Sequence, residues 1–94
     1  MSVSIARVPT RSASRYLQQL AKHWSHKMPV RFSEEEAEID FPNGSHLALK
    51  ADSETLDVAL TVPDGEDAAR MRQVVAEHLD RFAFREAPLT FDWR

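Results

Sequence analysis

The chain has 94 residues, 43% hydrophobic and 29% charged, with a formal net charge of -3. That length supports a single domain, residues 1–94, around one core. With no cysteine, disulfides, thiolate metal sites and cysteine nucleophiles are excluded. An acidic chain also lacks the basic footprint of a nucleic-acid binder, and no apolar run is long enough for a signal peptide or a membrane span. The expectation is a cytoplasmic protein that meets neither membrane nor nucleic acid.

The net charge conceals an uneven distribution. Residues 1–33 carry Arg7, Arg11, Arg15, Lys22, Lys27 and Arg31 and no acid, whereas residues 34–94 carry all fifteen acids against six bases. Such a division predicts a basic face on the first helix and an acidic surface elsewhere.

In chain order, Val3–Val8 is short and β-branched and reads as an outer strand. After Pro9, Thr10 or Ser12 is placed to cap a helix running from Ser12 to Pro29. At about 100° per residue, Ala13, Leu17, Leu20, Trp24 and Met28 form its apolar stripe, with Tyr16 and Ala21 at the two edges. His23 lies at the Tyr16 edge, and His26 lies further round, beside Arg15 and Gln19. Pro29 stops the helix. A strand begins at Val30–Phe32, followed by an acidic turn and the alternating strand Ala37–Phe41. Asn43-Gly44 is a hairpin signal, because both residues tolerate positive φ. The return strand is His46–Ala51, and Leu56–Val62 alternates strictly, as a strand buried on one face does.

Asp64 is placed to cap a second helix, whose stripe is Met71, Val74, Val75, Leu79 and Phe82. His78 falls inside that stripe, between Val74 and Phe82, where an aliphatic residue is expected. Phe84 falls off it, so the helix should loosen near Ala83. Beyond Pro88, Leu89–Trp93 reads as a last strand. The order β-α-β-β-β-β-α-β predicts an α+β two-layer sandwich, a mainly antiparallel sheet with both helices on one face. Trp24, Trp93 and Phe82 should belong to the core, and the neighbouring flanks of the helices should form a groove.

Motif chemistry is sparse. There is no glycine-rich phosphate loop, no nucleophile elbow and no His-Glu-x-x-His. Tyr16 and Trp24 lie on or beside the core stripe and are not free to stack on bases. His78 reads either as a core histidine bonded to a backbone carbonyl or to Tyr16, or as part of an imidazole cluster with His23 and His26. Such a cluster would hold an anionic ligand or a metal ion, zinc or iron.

The strings RYLQQLAKHWSHK (15–27), IDFPNG (39–44) and EHLDRFAFREAPLTFDW (77–93) resemble a small bacterial family known only as domain-of-unknown-function family 2218. The resemblance spans essentially the whole chain. It carries over Arg15, Tyr16, His23, His26, Lys27, His78, Arg81, Phe82, Arg85 and Glu86 as motif positions, and transfers no catalytic residue. It implies an accessory role near siderophore and iron-uptake functions, since some members are joined to siderophore-interacting flavoproteins. The expected ligand is an anionic small molecule or ferric chelate held by Arg15, Tyr16, His23, His26, Lys27, His78, Arg81 and Arg85. Iron or zinc on His23, His26 and His78 is the candidate metal. The alternative is a docking module whose basic helix meets a siderophore-interacting flavoprotein. A small enzyme with His78 as general base is the third reading.

Overall fold

Alternation of apolar and polar side chains builds the sheet. Leu56, Val58, Leu60 and Val62 on β5 (Thr55–Val62) are all fully buried, and the residues between them face out. In the computed structural model, which describes all 94 residues, β5 is flanked by β1 (Ser2–Pro9) and β4 (His46–Ala51). Beyond β4 come β3 (Glu36–Asp40) and the short edge strand β2 (Val30–Phe32), so the order is β1-β5-β4-β3-β2, with every pair antiparallel. Ala6 and Val8, Leu47 and Leu49, and Ala37 and Ile39 complete the buried face.

Two helices roof that face, as the alternation requires. Helix α1 (Ala13–Ser25) leaves the β1 edge and delivers the chain to β2 at the opposite edge, burying Leu17, Leu20, Ala21 and Trp24. Helix α2 (Ala68–Phe82) follows β5 and buries Met71, Val75 and Leu79. The outer face of the sheet is wet and carries cross-strand ion pairs: Arg7–Asp57 at 3.1 Å, Lys50–Glu36 at 3.6 Å and Arg31–Glu38 at 3.1 Å. Exposed pairs of this kind contribute little stability each, and at the β1 edge the same face also exposes Val3 and Ile5. No helix is long and apolar enough to cross a membrane.

Several element ends differ from the sequence reading. Helix α1 stops at Ser25, and Met28, expected on its stripe, packs against the core from the following turn. Ser12 is the N-cap residue but makes no side-chain capping bond; the Thr10 hydroxyl instead accepts from the Ser12 N–H at 3.1 Å. The cap of α2 is Asp67, whose carboxylate accepts from the Arg70 N–H at 3.0 Å. Asp64 lies in a preceding turn closed by Glu66 N–H to Pro63 carbonyl, with Gly65 at φ +89°, and pairs with the chain's N-terminal ammonium. The loosening expected near Ala83 occurs, for α2 ends at Phe82.

The expected last strand is absent. Leu89–Trp93 has no ladder; the tail is tied to β1 only by the reciprocal Ile5–Arg94 backbone bonds, at 2.9 and 2.8 Å, and to α2 by Leu89 N–H to the Asp80 carboxylate at 2.8 Å. Leu89 is buried, while Phe91 and Trp93 stack on each other, centroids 5.6 Å apart, and are only half-buried. Trp24, at 4% exposure, is the tryptophan of the core.

Leu20→Ala, in the fully buried roof of α1, should lower unfolding free energy by about 2–5 kcal/mol in urea titrations. Phe82→Ala, at the half-buried edge of α2, should cost less than Leu20→Ala. The reverse ranking would mean that the inter-helix edge, not the sheet-facing stripe, holds the roof.

Candidate functional site between the helices

Helical spacing puts Arg15, Gln19 and His23 on one ridge of α1, four residues apart, and Val74, His78 and Phe82 on one ridge of α2. The ridges run in opposite senses: His23 meets His78 and Phe82, and Tyr16 meets Glu86 just beyond α2. Where the ridges meet, both histidines pack over the buried Trp24. The His23 and His78 ring centroids are 5.5 Å apart, His78 and Trp24 4.9 Å, and His23 and Phe82 5.7 Å. Phe41 closes the floor edge-on to Trp24 at 5.0 Å.

His78 is half-buried on the flank of α2, not sealed within its stripe. Its Nδ1 lies 2.7 Å from the Val74 carbonyl. A carbonyl only accepts, so Nδ1 carries the proton and Nε2 of the neutral ring is left with a lone pair. His23 is also half-buried. Burial first, and then the positive charges of His78, Lys27, Arg81 and His26, hold its pKa below the ordinary 6.5.

At the other end of the groove Glu86 forms a clasp. The Tyr16 hydroxyl donates to Glu86 Oε2, and the Thr10 hydroxyl donates across both carboxylate oxygens at 3.1 and 3.0 Å. The bond to Glu86, followed by burial, pushes the Tyr16 pKa above its usual 10.0. Tyr16 therefore stays a neutral donor and is neither base nor nucleophile at neutral pH. Next to the clasp, Arg15, Tyr16, Gln19, Phe82, Phe84 and Arg85 surround a cleft of about 250 Å³.

The structure thus brings His23 and His78 together, and Tyr16 with Arg15 and Arg85. His26 is exposed in the turn after α1 and has no ring contact with the other two histidines. No group of three or more His, Cys, Asp or Glu side chains is placed to hold a metal ion, so the three-histidine set is not assembled. Lys27, Arg81 and Arg85 are exposed on the helix layer. The basic face expected on α1 is present, with Arg15, Lys22 and Lys27 exposed and none of them in an ion pair. The largest surface hollow, about 490 Å³ among Arg11, Arg15, Glu34, Glu35 and Asp52, has charges of both signs and contains no histidine.

Sequence reading of the site missed Thr10 and Glu86 as partners. Thr10 was visible only as a cap, and nothing local to Glu86 shows that it reaches back across seventy residues to Tyr16.

Fold and site together define a small α+β domain whose two helices meet through His23, His78 and Phe82 over Trp24. The chain belongs to the family described as "Uncharacterized protein conserved in bacteria (DUF2218)", whose model matches residues 5–94. Its structure is similar to the NMR structure of PA4090 from Pseudomonas aeruginosa, with a TM-score of 0.81 and 38% identity, covering 100% of this chain and 96% of that one. No curated protein sequence matches the chain.

The depressed pKa of His23 has a testable sign. Between its folded value and 6.5 the unfolded chain binds the extra proton, so stability rises with pH in that window. It is fully present above 6.5 and is lost as pH falls towards the folded value. In urea titrations from about pH 7.5 to about pH 5.5, His23→Gln should lose less stability than wild type. Equal losses in the two proteins would show that His23 titrates as it does when unfolded.

Proposed function

We propose that the protein is a non-enzymatic binding or accessory domain that holds an anionic small molecule in the inter-helix groove. The observation that carries this reading is the convergence of His23 and His78, 5.5 Å apart, with Lys27, Arg81 and His26 acting on His23. Two facing imidazoles with Lys27 and Arg81 nearby repel one another when protonated, and an anion between them removes that penalty. A ferric chelate is the finer form of the proposal. Such a ligand brings its own oxygen donors to the iron and asks the protein only for cations and hydrogen-bond donors. The iron and siderophore context rests on the family resemblance. A bare zinc or iron ion would find two imidazoles here and would have to complete its shell from solvent.

A second reading rests on a separate observation, the unpaired cations Arg15, Lys22 and Lys27 on the exposed side of α1. That face suits an acidic partner surface, with a siderophore-interacting flavoprotein as the candidate. Salt would release such a partner. General-base chemistry at His78 ranks last. Its Nε2 lone pair is suitable, but Tyr16, the hydroxyl nearest the groove, is committed to Glu86.

Calorimetric titration of wild type, His23→Ala and His78→Leu with ferric citrate, Zn²⁺ and Fe²⁺ tests the proposal. Ferric citrate should bind wild type and weaken by about tenfold or more in each variant, a loss of about 1.4 kcal/mol or more. Its affinity should rise as pH falls, because protonated imidazoles bind anions. A metal ion gives the opposite sign, since it needs neutral imidazoles. No binding of any of the three at sub-millimolar concentration sinks the ligand-site reading. Binding that ignores both variants moves the site off the groove.

A further inference from the structure

The cleft beside the Glu86 clasp has its own chemistry. Arg15 comes from α1 and Arg85 from the turn after α2, and they line one hollow with Gln19, Phe82 and Phe84. Neither arginine is ion-paired, although Arg7, Arg31 and Arg94 elsewhere in the chain are. The carboxylate next to Arg85 in the chain, Glu86, is occupied by the hydroxyls of Thr10 and Tyr16. Two guanidiniums are thus left without an internal anion. Phe84 is 72% exposed beside them, the Arg85 guanidinium lying 5.7 Å from its ring centroid. An exposed phenylalanine against a cationic cleft is an apolar surface with a ready cover.

We infer that this cleft is a subsite for a small aromatic carboxylate, its carboxylate on Arg15 and Arg85 and its ring against Phe82 and Phe84. Guanidinium forks match a planar carboxylate in two-point geometry, and aromatic rings favour offset or edge-on contact with one another. About 250 Å³ holds about eight water volumes at ~30 Å³ each, so the subsite takes one substituted ring and not a drug-sized ligand. Inorganic phosphate would satisfy the arginines and leave Phe84 bare, which is why an aromatic acid fits better than a bare anion. The subsite stands on its own residues. It deepens the proposed function only in that Phe82 also touches His23, so that a ligand with a second anionic group would reach the histidine end.

The test is a titration of the whole chain, followed by backbone and arginine side-chain NMR, with benzoate, cyclohexanecarboxylate and inorganic phosphate. Benzoate should give saturable shifts at Arg15, Gln19, Phe84 and Arg85, with the other two probes about tenfold weaker or more. Arg15→Gln and Arg85→Gln should each weaken benzoate about tenfold, and Phe84→Leu should reduce its advantage over cyclohexanecarboxylate. Both arginines are exposed, so retained spectral dispersion checks that the variants fold. Benzoate shifts at Arg15, Phe84 and Arg85 without shifts at His26 or Lys27 separate this subsite from the histidine end. Phosphate binding as tightly as benzoate at the same residues, cyclohexanecarboxylate binding equally, or no saturable shift by about 10 mM benzoate would each overturn the inference.

Discussion

The inner face of β5 sets the architecture. Leu56, Val58, Leu60 and Val62 are fully buried on a central strand paired on both sides. Burying a leucine or valine side chain is worth about 1.5–3 kcal/mol each, a gain that depends on keeping that face dry. The opposite face of the strand is polar, so both helices must lie on one side. Two helices over five strands leave their neighbouring flanks side by side, and there His23 meets His78 and Phe82. The site is a consequence of roofing a one-faced sheet.

The Glu86 clasp fixes how the roof closes. It joins the segment before α1, through Thr10, and the first turns of α1, through Tyr16, to the turn after α2. The carboxylate is matched by hydroxyl donors rather than by a cation, and that choice has an electrostatic effect. Had Arg15 or Arg85 paired with Glu86, one positive charge of the helix layer would be neutralised internally. With neutral donors in that role, the fold closes and neither arginine is neutralised by Glu86. The ion pairs concentrate instead on the outer face of the sheet.

The fold class and the sheet were legible because a period of two is unambiguous. Leu56 to Val62, or Leu47 and Leu49, have only one way to share a face. Element ends were less so. Asp64 and Asp67 both have a capping side chain, and a Gly65 with positive φ, which favours a turn before the helix, decides between them. The alternation Leu89, Phe91, Trp93 is real, yet only Ile5 and Arg94 pair, so pattern alone does not make a ladder. His78 shows the limit of a helical wheel. The wheel placed it in the apolar stripe, but the centre of that stripe is Met71, Val75 and Leu79. Val74, His78 and Phe82 form its flank, and how far a flank is buried depends on the neighbouring helix. The meeting of His23 and His78 was legible as a convergence of flanks. His26 keeps helical φ/ψ as the C-cap of α1, so its position further round the helix, towards solvent, is what excludes it.

The orientation of His78 narrows what the groove can do. A histidine whose Nδ1–H is held by a backbone carbonyl resembles a metal ligand prepared by its surroundings, and Val74 supplies that hold. A metal site, however, needs companions in fixed geometry, and His23 is the one imidazole within reach. The same fixed tautomer has a different consequence for an anion. With Nδ1–H held by Val74, Nε2 is the one polar atom His78 has left for a partner. His23 is kept neutral by burial and by the cations around it. Under the proposed function an arriving anion would reverse that balance at His23, because its charge favours the protonated ring that burial disfavours. Binding would then be coupled to proton uptake by that half-buried imidazole.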